Sequence, residues 1–421
     1  MSAPVEQKSR KAVSTANPRR IAWQCLQRWE QGGVFAETLI AREAAALTPQ
    51  NRALVQALVL GTLRNLRWLD HICKSLRKGA LEPGARWLVL LGLCQLFVHH
   101  KPDHAAVSET VALAPQRLRG LTNGILRNAV RRRAEFMAEL AELPPGVRYS
   151  APDWLVRRWF AEFGEQEATQ MLAWNVQTPP VYARINPLNP PEISPEWQPV
   201  PGVKGWYRLP AGLPMDELKL GRIYVADPST RHCVRLLAPR PGERVLDACA
   251  APGGKSCAMI AATSGKIDLL ATDAEQHRLP QLRENLLRAG GEQVEVLLHD
   301  WSRPCPPEWQ GGFDAVLLDV PCSNSGVLQR RVDARWRLQP NEFDRLAALQ
   351  LQILTCAAPA VRLGGRLVYS TCSIDYQEDR GVVDAFLASC PEFRLVEDYL
   401  ALPHREQADG AYAALLERVA R

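Results

Sequence analysis

From Gly242 onward the chain alternates short apolar runs with longer amphipathic stretches, and the apolar runs end at or beside acidic residues. Five runs read as buried strands: Arg244–Ala248, Asp268–Asp273, Val294–Asp300, Phe313–Val320 and Arg366–Ser370. Between them lie stretches long enough for helices, notably His277–Ala289 and Glu342–Leu363. Strand alternating with helix predicts a parallel sheet covered on both faces. Such sheets bind ligands at the carboxyl ends of their strands. Asp247, Asp273, Asp300 and Asp319 fall at those ends, followed by Cys372 just past the last strand. One acid there could be a helix cap; four acids and a cysteine on one rim point to a binding site.

The first strand runs into Asp247-Ala248-Cys249-Ala250-Ala251-Pro252-Gly253-Gly254-Lys255-Ser256. Small residues and paired glycines predict a turn that lets backbone approach a ligand before a helix starts. A phosphate-binding P-loop would need glycine at the position held by Cys249, so that reading fails. A nucleoside site survives, with Asp273 at the end of the next strand placed to accept bonds from both ribose hydroxyls. The fourth strand ends Asp319-Val320-Pro321-Cys322-Ser323 and the fifth ends Ser370-Thr371-Cys372-Ser373. Singly, each cysteine could be a small buried hydrophobe. Together they put two thiols on adjacent loops, both expected near helix N-termini that favour thiolate, an arrangement for covalent catalysis.

The rest of the chain reads differently. From Asn17 to about Arg133 the pattern is helical throughout. Thr48-Pro49 has the form of an N-cap followed by proline at the first helical position, and Leu54, Val55, Leu58, Val59, Leu63, Leu66 and Leu69 follow on one face. Leu81–Phe97, Ala105–Leu113 and Leu121–Val130 read as further helices, giving an all-α domain over 17–140 after a polar tail at 1–16. Ten of the 32 prolines fall between Gln177 and Pro214, which predicts an extended connector within 141–235 that holds short edge strands, Tyr182–Asn186 among them. Residues 236–421 form the α/β domain. Residues 1–150 carry 22 basic against 11 acidic side chains, and the remainder 29 against 34, so a polyanion partner would be gripped mainly by the first domain. A solvated basic face accounts for the charge almost as well. The 11 cysteines include no C-x-x-C pair, so neither a zinc ribbon nor a redox motif is indicated and reduced thiols are expected. His100 and His104 have metal-like spacing, but Pro102 between them and the lack of a third ligand make them surface residues. No apolar run is long enough to span a bilayer and no leader pattern opens the chain, so a cytoplasmic protein is expected.

At these residues the sequence resembles a known family. The blocks DACAAPGGKS, LLDVPCSNSGV and YSTCS are similar to those of the RNA 5-methylcytosine methyltransferases that use S-adenosylmethionine. The N-terminal segments ANPRRIAWQCL, LGLCQLF and LTNGILRNAVRRR resemble the NusB-type RNA-binding domain. The pairing resembles the bacterial 16S rRNA cytosine-C5 methyltransferase B group. The resemblance implies a NusB-like all-α domain, a Pro-rich connector subdomain and a Rossmann-like methyltransferase domain. It implies that Cys249, Ala250, Ala251, Pro252, Gly253, Gly254 and Lys255 form the methionine-side turn of the cofactor site, that Asp273 holds the ribose and Asp300 the adenine amine, and that Asp319 lies between cofactor and target base. Cys372 would be the nucleophile that adds to carbon 6, and Cys322 would assist release of the adduct.

Arg184 and Asn186 match a segment that approaches RNA in the family; a plain strand is the competing reading. Arg330 is retained from a family segment and counted with them. Arg131, Arg132 and Arg133 would contact phosphate, or else simply favour a helix C-terminus. The implied partner is 16S rRNA or a small-subunit assembly intermediate, bound by a monomer without metal or membrane. The sequence departs from the family pattern at Asn324, Ser325, Val332, Asp379 and Ala411, none of which is expected to touch the thiols. Three rivals stand beside this reading. A DNA cytosine methyltransferase would not need Cys372. A tRNA methyltransferase would share the chemistry, and a non-catalytic RNA-binding factor would need neither thiol.

Overall fold

The computed structural model describes residues 17–210 and 212–419, so the tail expected at 1–16 lies outside the described residues. The chain divides into two compact units, Met1–Arg157 and Arg158–Arg421.

Among its described residues the first unit is all-helical. Its main helices are α1 (Pro18–Glu30), α2 (Ala36–Glu43), α3 (Pro49–Arg64), α4 (Leu66–Leu76), α5 (Pro83–Leu93), α6 (Asp103–Leu113) and α7 (Gln116–Arg131). Thr48 caps α3 by accepting a hydrogen bond from the Asn51 N–H, and Asn17 caps α1 in the same way. α5 is buried nearly all round, from Trp87 through Leu93, and forms the axis of the bundle. Gly92 allows α7 to approach it: a Cβ there would meet Leu126 Cδ1 at 2.7 Å. The single helix expected over Leu81–Phe97 is instead α5 followed by a π-turn at Cys94–Val98. That wider turn carries Gln95, whose side-chain amide donates to Thr110 Oγ1 on α6 at 2.9 Å. Periodicity alone does not register one extra residue per turn.

The second unit holds two sheets. The smaller comprises β1 (Val181–Ile185), β2 (Gln198–Pro199), β3 (Trp206–Leu209) and β4 (Ile223–Val225), in the order β2-β3-β1-β4 and antiparallel throughout. The Tyr182–Asn186 segment was expected at an edge but pairs on both sides. Proline density flanks β1 and leaves its own five residues free to donate. The connector thus builds a sheet with its own core of Ala183, Trp197, Leu209 and Ile223.

The larger sheet comprises β5 (Arg244–Asp247), β6 (Asp268–Asp273), β7 (Glu295–Leu298), β8 (Phe313–Asp319), β9 (Val361–Thr371), β10 (Phe393–Ala401) and β11 (Ala411–Arg418). Its order is β10-β11-β9-β8-β5-β6-β7. The five expected strands pair parallel, but β11 inserts antiparallel between β9 and β10, so the sheet is mixed. One face packs on the helices Glu342–Ala357 and Arg380–Ser389, the other on Arg231–Leu237, Gly254–Ala262 and Leu279–Arg288. Chain progression reverses between β5 and β8, and that switch point opens a crevice at their carboxyl ends.

Candidate active site

Asp247 closes β5 and Asp319 closes β8, so neighbouring parallel strands deliver both acids to the crevice. A cavity of about 380 Å³ opens there, lined by Asp247, Cys249, Pro252, Lys255, Asp319 and Arg330 among others. A hollow of about 90 Å³ continues from Lys255 and Asp319 to Cys372. The volume of the larger is in the range of sites for small organic ligands.

The turn after β5 fulfils its role by packing. Gly253 adopts φ +106, where a side chain is strained, and a Cβ on it would press on Leu282. A Cβ on Gly254 would lie 3.2 Å from the ring of Tyr224. Both glycines thus also pack closely against a neighbouring side chain. Asp273 accepts from the Ala251 N–H at 3.1 Å and from the Glu275 N–H at 3.0 Å, so it braces the turn from β6. Asp300 lies two residues past β7 and accepts from the Ser302 N–H at 2.9 Å.

Two charged features fix the electrostatics. Lys255 Nζ donates to Asp319 Oδ2 at 2.5 Å. Burial works against the ammonium, but Asp319 beside it prevails and holds the lysine above its ordinary pKa. Asp247 is fully buried; its Oδ2 accepts from Ser256 Oγ, while Oδ1 has no partner among the described residues. Burial raises this carboxyl to about 7. An orphaned carboxylate oxygen in a cavity is placed to receive a donor from a bound group.

The two thiols meet. Cys322 Sγ and Cys372 Sγ lie 3.1 Å apart, and Cys372 also donates to Asn324 Oδ1 at 3.3 Å. Both are free thiols. The helix N-termini expected to favour thiolate are missing. Only a three-residue turn, Ser325–Val327, follows Cys322, and Arg380 opens the first helix after Cys372. The bond to Cys372 and then burial raise Cys322 well above the usual thiol range, which keeps its proton available.

Glu378 joins the two loops. Fully buried, it accepts from the Ser323 N–H at 2.8 Å, from Ser373 Oγ at 2.7 Å, from Gln350 Nε2 at 2.9 Å and from Ser323 Oγ. Burial raises its pKa, and the serine hydrogen bonds oppose that rise. Beside it, burial pushes Asp379 well above the carboxylate range while Thr371 Oγ1 donates to it at 2.6 Å. A neutral carboxyl is a close stand-in for the asparagine amide of the family pattern. Glu378→Ala would strand four donors in the core, and we expect a loss of roughly 2–4 kcal/mol of stability. Thermal unfolding should register this as a fall of roughly 5–15 °C; an unchanged midpoint would show that the loops hold together without it.

Sequence reasoning missed three participants. Asn324, a departure from the family pattern not expected to touch the thiols, accepts from Cys372 Sγ: its φ of +63 turns the side chain back, so that Nδ2 also donates to the Cys322 carbonyl at 3.0 Å. Asparagine tolerates that left-handed conformation, which was the available signal. Asp227 and Asp409 line the cavity and hold Arg330, which donates to each at 2.8 Å and to the Pro180 carbonyl at 2.8 Å. Arg330, expected at RNA, is thus a clasp joining loop, connector and closing hairpin. Asn186 likewise has internal partners, donating to the Gly221 carbonyl and accepting from the Leu188 N–H. In the helical unit, Arg132 pairs with Glu135 and Arg133 with Asp103, while Arg131 borders a groove between α6 and α7 with Arg119 and Arg127. Two of the three arginines expected at phosphate therefore already have acidic partners.

Comparison with known proteins decides the family. The family model described as 16S rRNA methyltransferase RsmB/F matches residues 234–417, and the NusB family model matches residues 16–131. A ribosomal RNA small subunit methyltransferase B from Yersinia enterocolitica (serotype O:8 / biotype 1B) is 34% identical, covering 96% of this chain and 99% of that protein. The chain belongs to the RsmB/F family of 16S rRNA methyltransferases. It is an rRNA methyltransferase with a NusB-type helical domain. Among solved structures, PH0851 superposes with a TM-score of 0.76 at 22% identity over 96% of this chain and 99% of that one. NSun6 from Pyrococcus horikoshii, solved with SFG, gives 0.53 at 19% identity over 64% of this chain and 99% of that one. Both likenesses show the fold alone and no residue's role. Among the described residues no helix is long and apolar enough to cross a membrane, and no cluster of three or more potential metal ligands occurs.

Proposed function

We propose that this RsmB/F member transfers a methyl group from S-adenosylmethionine to carbon 5 of a cytosine in 16S rRNA, through a covalent bond between Cys372 and carbon 6. The observation that carries the reading is Cys372 in a hollow that Lys255 and Asp319 also line, with the Cys322 sulfur 3.1 Å from its own. Carbon 5 of cytosine is a poor nucleophile. Addition of the Cys372 sulfur at carbon 6 makes the ring an enamine whose carbon 5 can attack an electrophile. S-adenosylmethionine supplies that electrophile as a sulfonium methyl.

This chain's residues do the rest. Asp319, fixed by Lys255, stabilises the proton gained at the ring nitrogen during addition. After methylation a base removes the carbon-5 proton, the carbon–sulfur bond breaks, and Cys322 supports departure of the Cys372 sulfur. A stacked, paired base cannot reach this crevice, so the target is single-stranded or flipped out. The cofactor site is assigned to the turn from Cys249 to Lys255 with Asp247, Asp273 and Asp300, and its acidic lining suits a cationic ligand. The RNA is assigned to 16S rRNA, free or in an assembly intermediate, with Arg184 and Arg131 the expected contacts that have no acidic partner among the described residues.

Asp247 gives this reading a pH signature. Its folded carboxyl titrates near 7, and a cationic cofactor favours the ionised form. Binding then releases a proton, so affinity for S-adenosylmethionine should rise by up to about tenfold per pH unit below 7 and level off above it. Calorimetric titration across this range should show the rise in the wild type and a flat profile in Asp247→Asn. A flat wild-type profile would remove Asp247 from the cofactor site.

The deciding experiment offers radiolabelled S-adenosylmethionine with unmodified 16S rRNA, 23S rRNA and tRNA in parallel and analyses the methylated nucleoside. Label as 5-methylcytosine in 16S rRNA alone supports the reading in full. Label in tRNA overturns the substrate and keeps the chemistry. A different methylated nucleoside overturns the chemistry.

A further inference from the structure

A second cavity, of about 160 Å³, lies between the small sheet and the helices Gly254–Ala262 and Leu279–Arg288. It shares only Tyr224 and Val225 with the cofactor cavity and reaches neither thiol. At a water's share of roughly 30 Å³, it has room for one tetrahedral ion with a water or two, and none for a nucleoside.

Its charge is one-sided. Arg184 and Arg288 line it, and no carboxylate among the described residues does. Burial pushes the Tyr224 phenol up to about 12 and the Cys257 thiol up to about 11, so neither is an anion at neutral pH. The Arg184 side chain makes no hydrogen bond or ion pair among the described residues. Its Nε is shut off from solvent, and its guanidinium stands over the Tyr224 ring, 5.9 Å from the centroid. Arg288 donates to Asn285 Oδ1, and its nearest carboxylate, Glu284, stands 4.0 Å away and is largely exposed. A pair at that distance in water contributes little. The Asn186 amide at the cavity wall already donates to the Gly221 carbonyl.

A guanidinium withdrawn from water without a counter-charge is unfavourable unless a ligand supplies one. Arg184 in that state, with the partly exposed Arg288 facing the same small cavity, suits a tetrahedral oxyanion, whose oxygens can take paired N–H donors. We propose that this cavity binds a single phosphate group, held by Arg184 and Arg288. The group comes either from inorganic phosphate or from a phosphodiester of the RNA substrate. The site is separate from the methyl-transfer chemistry, so a failed methylation assay leaves it standing.

The test uses the full chain in phosphate-free zwitterionic buffer. Calorimetric titration with inorganic phosphate should show saturable binding, and the unfolding temperature should rise with phosphate. Arg184→Met and Arg288→Gln should each weaken the affinity about 10- to 100-fold. Without phosphate, Arg184→Met should unfold no earlier than the wild type, because it removes an uncompensated cation; should it fail to fold, Arg288→Gln carries the test. A short single-stranded oligoribonucleotide that displaces phosphate identifies the phosphodiester as the source. Failure to displace identifies the free ion. The proposal is overturned if neither phosphate nor the oligoribonucleotide binds saturably, or if both variants bind them as the wild type does.

Discussion

Cys372→Ala should abolish methyl transfer while leaving cofactor binding intact. The residue follows β9 directly, borders the cavity at the Lys255–Asp319 end, and contributes no side chain to the walls of the larger cofactor chamber. Removing a nucleophile that forms the covalent bond costs roughly 10³-fold or more in turnover, because no other group can activate carbon 5 in the same geometry. Cys322 is not a substitute. Although its sulfur is only 3.1 Å away, its raised pKa disfavours the thiolate. Radiolabel transfer to RNA and calorimetric titration with S-adenosylmethionine, run on the same preparation, separate the two effects. Turnover near wild type would remove the nucleophile assignment. Joint loss of turnover and cofactor binding would show a disturbed fold instead.

Cys322→Ala should produce a different defect. If Cys322 supports departure of the Cys372 sulfur, its loss lets methylation proceed and stops the product from leaving. The expected result is a protein–RNA complex that survives denaturing electrophoresis, carries the methyl label, and disappears in the double variant with Cys372→Ala. Multiple turnover should fall by roughly 10²-fold or more, the range associated with loss of a positioned proton donor or acceptor. The substitution is mild for the fold, since the Ser323 N–H and hydroxyl that anchor this loop to Glu378 remain. Normal turnover without any trapped complex would refute the release role.

Much of this site was legible because its parts sit at fixed offsets from strand ends. Asp247 and Asp319 are strand-terminal, and the period-breaking glycines after β5 marked the turn. What escaped depended on contacts between distant segments. Nothing local in the sequence indicates that Glu378 reaches Ser323, or that Arg330 spans Asp227 and Asp409. The anticipated thiolate stabilisation failed for a related reason. Apolar runs predict strands well, but the element after each cysteine is set by loop packing, and it proved too short on one side and too remote on the other. The arginines illustrate the limit of charge counting: composition gives their number, whereas Asp103 and Glu135 decide which of them are already paired. The π-turn at Cys94 and the central position of β1 were beyond a reading based on period and proline content.

The pairing of β8 with β9 has an evolutionary corollary. Asp319 lies opposite Ser370, and the cysteines follow three and two residues later, so the ruler between the sulfurs is the spacing of two hydrogen-bonded strands. From the intervening chain, the helix Glu342–Ala357 adds the buried Gln350, which donates to the Pro321 carbonyl and to Glu378, each at 2.9 Å. Lineages can lengthen, shorten or rewrite the exposed parts of that excursion and inherit the same sulfur pair. A single residue gained or lost inside β9 is another matter: it would turn the following cysteine to the opposite side of the sheet. Drift should therefore collect in the exposed stretches between the two strands, with length held constant within the strands themselves.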